Sequence, residues 1–378
     1  RCPARRAHAH RLLADIEDKL MNPMRCLIGC VLLLAVQLAA AGPKIERWQT
    51  PSGTRVLFVE SHSLPILDVQ VDFAAGTARE ADGKAGSAAL THALLDLGVP
   101  GMDETQIASR LADLGAKLSG GVDMDRASVA LRTLSMADKR GPALDLLRQM
   151  LGQPLFPNDA FERERARTVA ALKEALTRPD AIASKTFWAA IYGAHPYARQ
   201  ATPDSVRALA RPDVIDFHAS NYNAQRATIA IVGDLSRAEA EALAADLSLA
   251  MPAGKPAEAL AEPALPSGGE RRIAHPAAQA HLLLGLPTIR RGDPEFFPLL
   301  VGNYSLGGGG FVSRLMKEVR DKRGLAYSVQ SYFHPLGQLG PFQIGMQTKK
   351  EQADEALRVT REVLATFLSQ GPSEAELL

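Results

Sequence analysis

An internal repeat constrains the fold of this chain more than any other feature of its sequence. In the first half the segment Ser109–Leu111 precedes Gly115–Ser119, and in the second half Ser313–Leu315 precedes Gly324–Ser328. In both halves an apolar strand and then a helix follow these segments. One short match arises by chance, whereas several elements in matching order and spacing predict two copies of one α+β unit.

Hydrophobic periodicity predicts the elements of the first unit. Residues Leu67–Phe73 alternate between apolar and polar, which predicts a strand with one face in water. Asp103 with Gln106 three residues later predicts a helix that begins with a capping box. Gly98 predicts the end of the helix before it. Further strands are expected at Val56–Val59, Ala127–Leu134 and Ala227–Val232, and helices at Ser87–Leu97, Leu144–Leu151 and Phe161–Thr177.

The composition changes between the two copies. Residues 251–270 are rich in Ala, Pro, Gly and Glu and lack apolar periodicity, which is typical of a linker. We therefore expect one domain at residues 44–250 and a second at residues 271–378. The first copy continues for about 70 residues beyond the point that matches Gly371–Glu374, so the repeat predicts that the second copy is incomplete.

The N-terminal region resembles a secretory signal. Residues 21–41 contain Arg25, the apolar run Leu27–Leu38 and the small residues Ala39–Ala41, which is the order of a signal peptide and its cleavage site. Residues 1–20 are interpreted as a non-native upstream extension. We therefore expect export, to a periplasm. All three cysteines lie in or before this segment, so the mature chain is expected to contain no disulfide or cysteine nucleophile.

Charge and histidine spacing argue against two classes of function. With 43 basic and 42 acidic side chains the formal net charge is +1, and no basic cluster stands out, so we expect no nucleic-acid partner. No two of the nine histidines have the i, i+4 spacing that places two imidazole rings on one helix face. His92 precedes Asp96 by four residues, which allows a packed histidine or, less commonly, a His–Asp metal pair.

Residues Trp48–Leu134 resemble the N-terminal unit of the pitrilysin/insulinase zinc peptidases, whose helix carries H-x-x-E-H. The matching segment is Gly86–Ala93. In this register Ala89 and Ala93 occupy the positions of the two histidine ligands, and His92 occupies that of the general-base glutamate. The resemblance implies a mainly antiparallel sheet in each unit, packed with helices on one side.

The third zinc ligand of that family is a glutamate on a later helix. With 76 residues between it and Ala93, as the family's spacing implies, this position is Ala170 in the segment Phe161–Leu172. Catalytic zinc needs three protein ligands and a base for its bound water, and alanine supplies no lone pair. We therefore expect no metal and no cofactor in this chain, and no peptide hydrolysis by it alone.

The second half is similar to the family's other active-site motif over Leu315–Tyr332. In that motif an arginine, and a tyrosine seven residues later, reach the substrate across a chamber; here they are Arg320 and Tyr327. A guanidinium and a phenol can donate hydrogen bonds to a peptide backbone and to the oxyanion of a tetrahedral intermediate. The alternative is that Arg320 is a surface cation and Tyr327 a strand aromatic.

A glycine-rich segment, Leu306–Phe311, precedes this motif. It lacks the strand and the G-x-x-x-x-G-K pattern of a phosphate-binding loop. A glycine-rich turn is usual here in the family, where it lets two helices meet closely. We interpret it as structural, or at most as a flexible edge of the substrate chamber.

Two functional hypotheses follow from the resemblance. In the first, the chain is the zinc-free subunit of an exported heterodimer, whose homologous zinc-bearing partner carries an intact H-x-x-E-H and whose substrates are extended peptides. Arg320 and Tyr327 would then act in trans. In the second, the chain is a structural or peptide-binding protein without a catalytic role. A catalytically active single-chain peptidase is a third alternative, which stoichiometric zinc in the purified chain would support.

Overall fold

A computed structural model describes residues 42–377 of the chain. The predicted signal peptide and upstream extension, at residues 1–41, lie outside the described residues. From Arg47 onward the chain forms one compact body, within which the contacts discussed below lie. Among the helices of the described part, none combines the length and the apolar character that crossing a membrane requires.

The first half is an α+β unit built on a six-stranded sheet and a separate two-stranded sheet. The strands of this half are β1 (Glu46–Gln49), β2 (Arg55–Glu60), β3 (Ile66–Phe73), β4 (Gly98–Val99), β5 (Met102–Asp103), β6 (Lys117–Val122), β7 (Ala127–Leu134) and β8 (Ala227–Gly233). Its helices are α1 (Ser87–Ala93), α2 (Glu104–Asp113), α3 (Ala137–Gly152), α4 (Asn158–Ala175), α5 (Pro179–Tyr192), α6 (Pro203–Arg207), α7 (Arg211–Asn221) and α8 (Arg237–Ala250).

The large sheet has the order β1-β2-β8-β3-β7-β6, and β4 pairs with β5 separately. Strand β3 is antiparallel to both β7 and β8, and only β2 and β8 are parallel among the pairings described for this sheet. Every second residue of β3, from Leu67 to Phe73, is fully buried, as the alternating sequence predicts. These side chains pack against Leu90 of α1, Leu147 of α3 and Phe161 of α4, so the helices cover the apolar face.

The capping box predicted at Asp103 is present. The Gln106 backbone N–H donates to Asp103 Oδ1 at 2.8 Å, and the Asp103 N–H donates to Gln106 Oε1 at 3.0 Å. These two bonds satisfy backbone donors that the first turn of a helix leaves without partners.

The predicted end of the preceding helix is wrong. Helix α1 ends at Ala93 and not at Leu97, and Gly98 belongs to strand β4, where it pairs with Asp103. A Cβ at Gly98 would lie 2.7 Å from Pro157 Cγ, so this glycine allows a close approach of two segments rather than a helix cap. Helix α3 begins at Ala137, earlier than predicted. The prediction missed its first turn because that turn is largely exposed and carries no apolar periodicity.

The second half is a smaller α+β unit. It contains β9 (Gln279–Ile289), β10 (Ala326–Phe333) and β11 (Gly340–Lys349), with helices α9 (Phe296–Asn303), α10 (Ala353–Gln370) and α11 (Glu374–Leu377). Two π-helical turns, Tyr304–Gly308 and Met316–Asp321, lie between α9 and β10. The antiparallel sheet has the order β10-β11-β9, and its core contains Leu315, Val319, Val329, Ile344 and Val359.

The two halves repeat one arrangement of strands. In each, a strand and a helix are followed by two further strands, and the last strand lies between the other two: β3-β7-β6 in the first half and β9-β11-β10 in the second. The fold class predicted from the sequence, two copies of one α+β unit, is therefore confirmed. Residues 252–275, between the copies, contain no helix or strand. The exact domain boundaries stay predictions.

A polar network joins the two halves. Tyr197 donates a hydrogen bond to Asp125 Oδ1, and the same carboxylate accepts the backbone N–H of Gly337 at 2.6 Å. The Tyr197 hydroxyl oxygen in turn accepts the N–H of Gln338 at 3.0 Å. Because the turn between β10 and β11 is thereby tied to the first half, the second sheet has a fixed position beside α5.

Candidate functional site

The segment that matches the family's zinc site lies on two helices in contact, α1 and α4. Ala89 and Ala93 are four residues apart on α1, which places them on one face of the helix. Ala170 lies on α4, where its side chain is exposed, as is that of Ala89. Methyl groups at all three positions offer no lone pair to a metal ion, so the side chains present do not fit zinc.

His92, at the position of the general base, is a packed histidine. Its Nε2 lies 2.8 Å from the backbone carbonyl oxygen of Ser128 on β7. Gly120 on β6 makes room for the ring, since a Cβ there would lie 2.9 Å from His92 Nε2. The packed arrangement considered from the sequence is therefore the one observed. Among residues 42–377, no group of three or more His, Cys, Asp or Glu side chains is arranged to hold a metal ion.

Asp96, the other member of the conceivable metal pair, is partly buried beside acidic neighbours. Burial raises its pKa above the ordinary value for an aspartate, because desolvation disfavours the charged form. The carboxylates of Glu164 and Glu104 act in the same direction, and His92 opposes them.

Arg320 and Tyr327 are brought together on the second half. Arg320 lies in the π-helical turn Met316–Asp321, and its Cζ is 5.7 Å from the centre of the Tyr327 ring. The connection between them turns at Gly324, whose φ of +61° favours glycine, and the Leu325 N–H then donates to Val319 O at 2.9 Å. Their spacing in the sequence thus matches a tight turn from helix to strand.

Tyr327 points into solvent because β10 is irregular at this point. The pairing register of β10 with β11 shifts between Ala326 and Val329, and both residues in between, Tyr327 and Ser328, are exposed. A β-bulge of this kind redirects side chains out of the alternating pattern. Tyr327 is 87% exposed, so its hydroxyl is accessible to a second molecule.

Phe311 is a neighbour of Arg320 that the sequence did not indicate. The Arg320 Cζ lies 5.0 Å from the centre of the Phe311 ring, so the guanidinium has aromatic contacts from two segments. Its Nη1 also donates to Asp321 Oδ1 at 3.0 Å. A guanidinium has five N–H donors, and this bond leaves others available for a ligand.

The glycine-rich segment has a structural role, as interpreted from the sequence. A Cβ at Gly307 would lie 2.4 Å from Ser331 Oγ and 2.7 Å from Leu315 Cδ1, so only glycine permits this approach to β10 and to the following helical turn. Gly310, with φ of +61°, then reverses the chain ahead of Phe311. The segment therefore positions the Phe311 ring beside the guanidinium of Arg320.

Both halves of the chain match one known protein family. Residues 55–204 match the family described as insulinase (peptidase family M16), and residues 208–378 match the peptidase M16 inactive domain. The chain belongs to peptidase family M16. A solved structure of the M16 inactive domain from Pseudomonas fluorescens is 40% identical, with a TM-score of 0.86 over 88% of this chain and 81% of that one.

Relatives of this M16 chain carry different names. An uncharacterized zinc protease of Mycobacterium bovis is 27% identical over 89% of this chain and 77% of its own length. The non-peptidase homolog YmxG of Helicobacter pylori is 24% identical over 85% of this chain and 74% of its own. The periplasmic protease PqqL of Escherichia coli, 17% identical with a TM-score of 0.74 over 89% of this chain and 37% of that one, shares the fold.

The M16 chain is of the non-catalytic type. Its second half matches the family's inactive domain, a structure of that kind is similar over most of the chain, and a relative is named a non-peptidase homolog. We propose that the alanines at the three positions matched to zinc ligands are the physical reason, because they offer no donor atoms to zinc.

Proposed function

We propose that this chain is the zinc-free subunit of an exported heterodimeric M16 endopeptidase, and that it supplies Arg320 and Tyr327 in trans. The observation that carries the proposal is the contact between these two side chains on an accessible surface, in a chain whose zinc positions are alanines.

The chemistry of the pair suits an extended peptide. Arg320 is held by two aromatic rings and by Asp321, so its position is set before a ligand arrives, and fixed donors stabilise developing negative charge without reorganisation. Tyr327 adds a neutral O–H donor beside this cation. Together they can hold a peptide carbonyl and the oxyanion that forms from it.

The partner in this proposal is a homologous M16 subunit with an intact H-x-x-E-H. The two subunits enclose a chamber, and peptide enters as an extended strand. Strand β6, at the edge of the first sheet, is mostly exposed and can add such a strand through backbone hydrogen bonds. The signal-like residues 21–41 support export, and the periplasmic protease PqqL, which shares the fold, offers a precedent for a periplasmic location.

A second candidate is a peptide-binding or structural protein without any catalytic contribution. The open edge of β6 favours it, because strand addition requires neither Arg320 nor Tyr327. This candidate predicts peptide binding that is independent of both side chains.

Mixing experiments separate the candidates. The zinc-bearing partner is assayed for peptide cleavage alone, with this chain, and with the Tyr327→Phe variant. We expect cleavage to require this chain, and Tyr327→Phe to lower kcat/KM by about tenfold, the effect of losing one hydrogen bond in the transition state. Tyr304→Phe, which alters another exposed tyrosine of the same half, is the matched control and should leave the rate unchanged. Equal cleavage without this chain would rule out the proposal.

A further inference from the structure

The segment between the two copies, residues 252–275, is held by both halves of the molecule although it contains no helix or strand. The side chain of Leu260 packs against an apolar cluster at the junction of the halves. This cluster includes Tyr197 of the first half and Leu336 of the second. We call residues 252–275 the connecting segment, and residues 260–262 within it the junction clasp.

The second half holds the junction clasp through two side chains. Gln338, in the turn between β10 and β11, donates from its Nε2 to the carbonyl oxygen of Leu260 at 2.7 Å. Arg290, which follows β9, donates from its Nη2 to Glu262 Oε2 at 2.6 Å. The second pair is exposed on both sides and contributes little, so the amide bond and the packing of Leu260 provide most of this attachment.

The first half holds the clasp through one histidine. The Nε2 of His195 lies 2.9 Å from the carbonyl oxygen of Ala261. Its Nδ1 accepts the backbone N–H of Tyr197 at 3.1 Å and so caps the short helical turn Pro196–Ala198. A carbonyl oxygen requires a hydrogen on Nε2, and an N–H donor requires a lone pair on Nδ1. Both bonds can therefore be made only by the neutral ring.

Proton uptake at His195 Nδ1 would place one donor against another. The bond from the Tyr197 N–H is then lost, and the charged ring remains in a partly buried position, 4.6 Å from the centre of the Tyr197 ring. The ring regains its hydration by turning outward, which withdraws Nε2 from Ala261. Burial accordingly lowers the pKa of His195 below 6.5, although the bond to Ala261 and the charge of Asp125 oppose this shift.

The charges around His195 do not overcome the effect of burial. The titratable and charged groups on the elements packed against it are Tyr192, Tyr197, Arg199, Asp125, Glu258, Glu262, Arg290, Arg291 and His334. The Asp125 carboxylate favours a charged ring, but it already accepts the Tyr197 hydroxyl and lies 3.6 Å from the Arg291 guanidinium. Both phenols stay neutral, because burial raises the pKa of each. The closed clasp therefore favours the neutral imidazole.

We propose that the junction clasp is a pH-sensitive connection between the two halves, closed at neutral pH by His195 and released when acid protonates this ring. Because the closed form binds the proton less readily than the open form, the clasp is closed above about pH 6.5. It opens as the pH falls through the lower pKa of the closed form. Release is a local opening in which the sheets and helices keep their structure. This inference goes beyond the proposed function, because it needs neither a partner subunit nor the Arg320–Tyr327 pair.

Proteolysis of the connecting segment measures the release of the clasp. A protease that cleaves after glutamate and is active from pH 5 to pH 7.5 can cut after Glu258, just before the clasp. Its rate on the full chain is divided at each pH by its rate on a synthetic peptide of residues 252–275, which corrects for the protease itself. Glu270, in the connecting segment but outside the clasp, is the internal reference.

We expect the corrected rate after Glu258 to rise by about tenfold between pH 7.5 and pH 5, as a local opening of this size requires. The corrected rate after Glu270 should stay within about twofold over the same range. Circular dichroism should report the same fold at both pH values.

His195→Asn separates the clasp from the rest of the fold. Asparagine can still cap the Tyr197 N–H, but its side chain is too short to reach Ala261 and does not titrate. Cleavage after Glu258 should then be fast, and equally fast at both pH values. His275→Asn is the matched control, since His275 lies in the connecting segment outside the clasp. Its Nδ1 accepts the Ala277 N–H at 3.2 Å, which is the same kind of local bond, and this variant should behave as the parent does.

Gln338→Ala removes the donor that the second half gives to Leu260. It should speed cleavage after Glu258 at pH 7.5 and leave the response to acid in place, because His195 is unchanged. The proposal is overturned by a corrected rate after Glu258 that is the same at both pH values, or by an equal rise after Glu270. It is also overturned if His195→Asn keeps the response of the parent, if His275→Asn loses it, or if Gln338→Ala is cleaved no faster than the parent at pH 7.5.

Discussion

The two halves of the molecule use the same helix position in opposite ways. In the first half, α1 follows β3 and buries Leu90 in the core. In the second half, α9 follows β9 in the same order, yet its Leu300 is 46% exposed and Phe297 is 71% exposed. The first copy thus packs this helix in the core, and we propose that it has lost its metal ligands, whereas the second presents Arg320, Tyr327 and apolar side chains at the surface.

We propose that the zinc site was lost from the first half without collapse of the fold. The helices that would carry the ligands, α1 and α4, still pack on the sheet through Leu90 and Phe161. Alanine at Ala89, Ala93 and Ala170 removes chemistry while leaving the helix backbone and its buried face in place. The following predictions test this difference between the two halves, beginning with the largest expected effect.

Restoring the ligands should restore metal binding. A variant with Ala89→His, His92→Glu, Ala93→His and Ala170→Glu rebuilds H-x-x-E-H and the third ligand on helices that already touch. We expect its zinc affinity, measured by competition with a chromophoric chelator, to rise by roughly 1000-fold or more over the parent, about 4 kcal/mol.

A matched control tests the register of that site. Replacing Ala170→Glu by Ala166→Glu, which lies one turn earlier on α4 and is also exposed, keeps the composition but misplaces the third ligand. This control should bind zinc far more weakly. Equal affinity for the two variants would show that the register is wrong.

Truncating the equivalent helices should destabilise the two halves unequally. Leu90→Ala removes a side chain that is 1% exposed, and we expect it to lower the free energy of unfolding by about 2–5 kcal/mol. Leu300→Ala, on the exposed face of α9, should cost less than about 1 kcal/mol. Urea denaturation of both variants measures this, and similar losses would contradict the difference in burial.

Acid should lower the free energy of unfolding through protonation of His218, a buried residue of the first half. Burial lowers the pKa of His218 from 6.5 to about 4, although the bond between its Nε2 and Leu151 O, 3.0 Å long, opposes the shift. The unfolded chain binds this proton first, so the stabilisation is complete above about pH 6.5 and is lost as the pH falls to about 4, by up to about 3 kcal/mol.

Unfolding free energies measured between pH 7 and pH 4 check this prediction. His218→Gln should flatten part of the pH dependence, because an amide does not titrate in this range. His334→Gln, which alters an exposed histidine of the second half, should leave the curve of the parent unchanged. A parent curve that is identical to that of His218→Gln would refute the role of His218.

Local patterns in the sequence predicted most of the fold. The alternation at Leu67–Phe73 and the capping pair Asp103 and Gln106 depend on neighbouring residues alone, and both are present. The end of α1 was missed because Gly98 is required by its contact with Pro157, almost 60 residues away in the sequence. Such long-range packing leaves no periodic signal.

The site was predictable only in part for the same reason. Arg320 and Tyr327 are joined by one tight turn, so their spacing was informative. The contact of Phe311 with Arg320 depends on a π-helical turn and on the positive φ of Gly310. The packing of α5 of one half on β9 of the other is likewise encoded by neither half alone.

The central claim, that the second half contributes to catalysis in trans, is tested most directly by one comparison of rates. The zinc-bearing partner is mixed with this chain carrying either Arg320→Ala or Arg323→Ala, where Arg323 is a nearby exposed arginine paired with Glu318. The account predicts that Arg320→Ala lowers kcat by about 100-fold, as loss of an oxyanion donor does, while Arg323→Ala stays within about twofold of the parent. Equal rates for the two variants would contradict it.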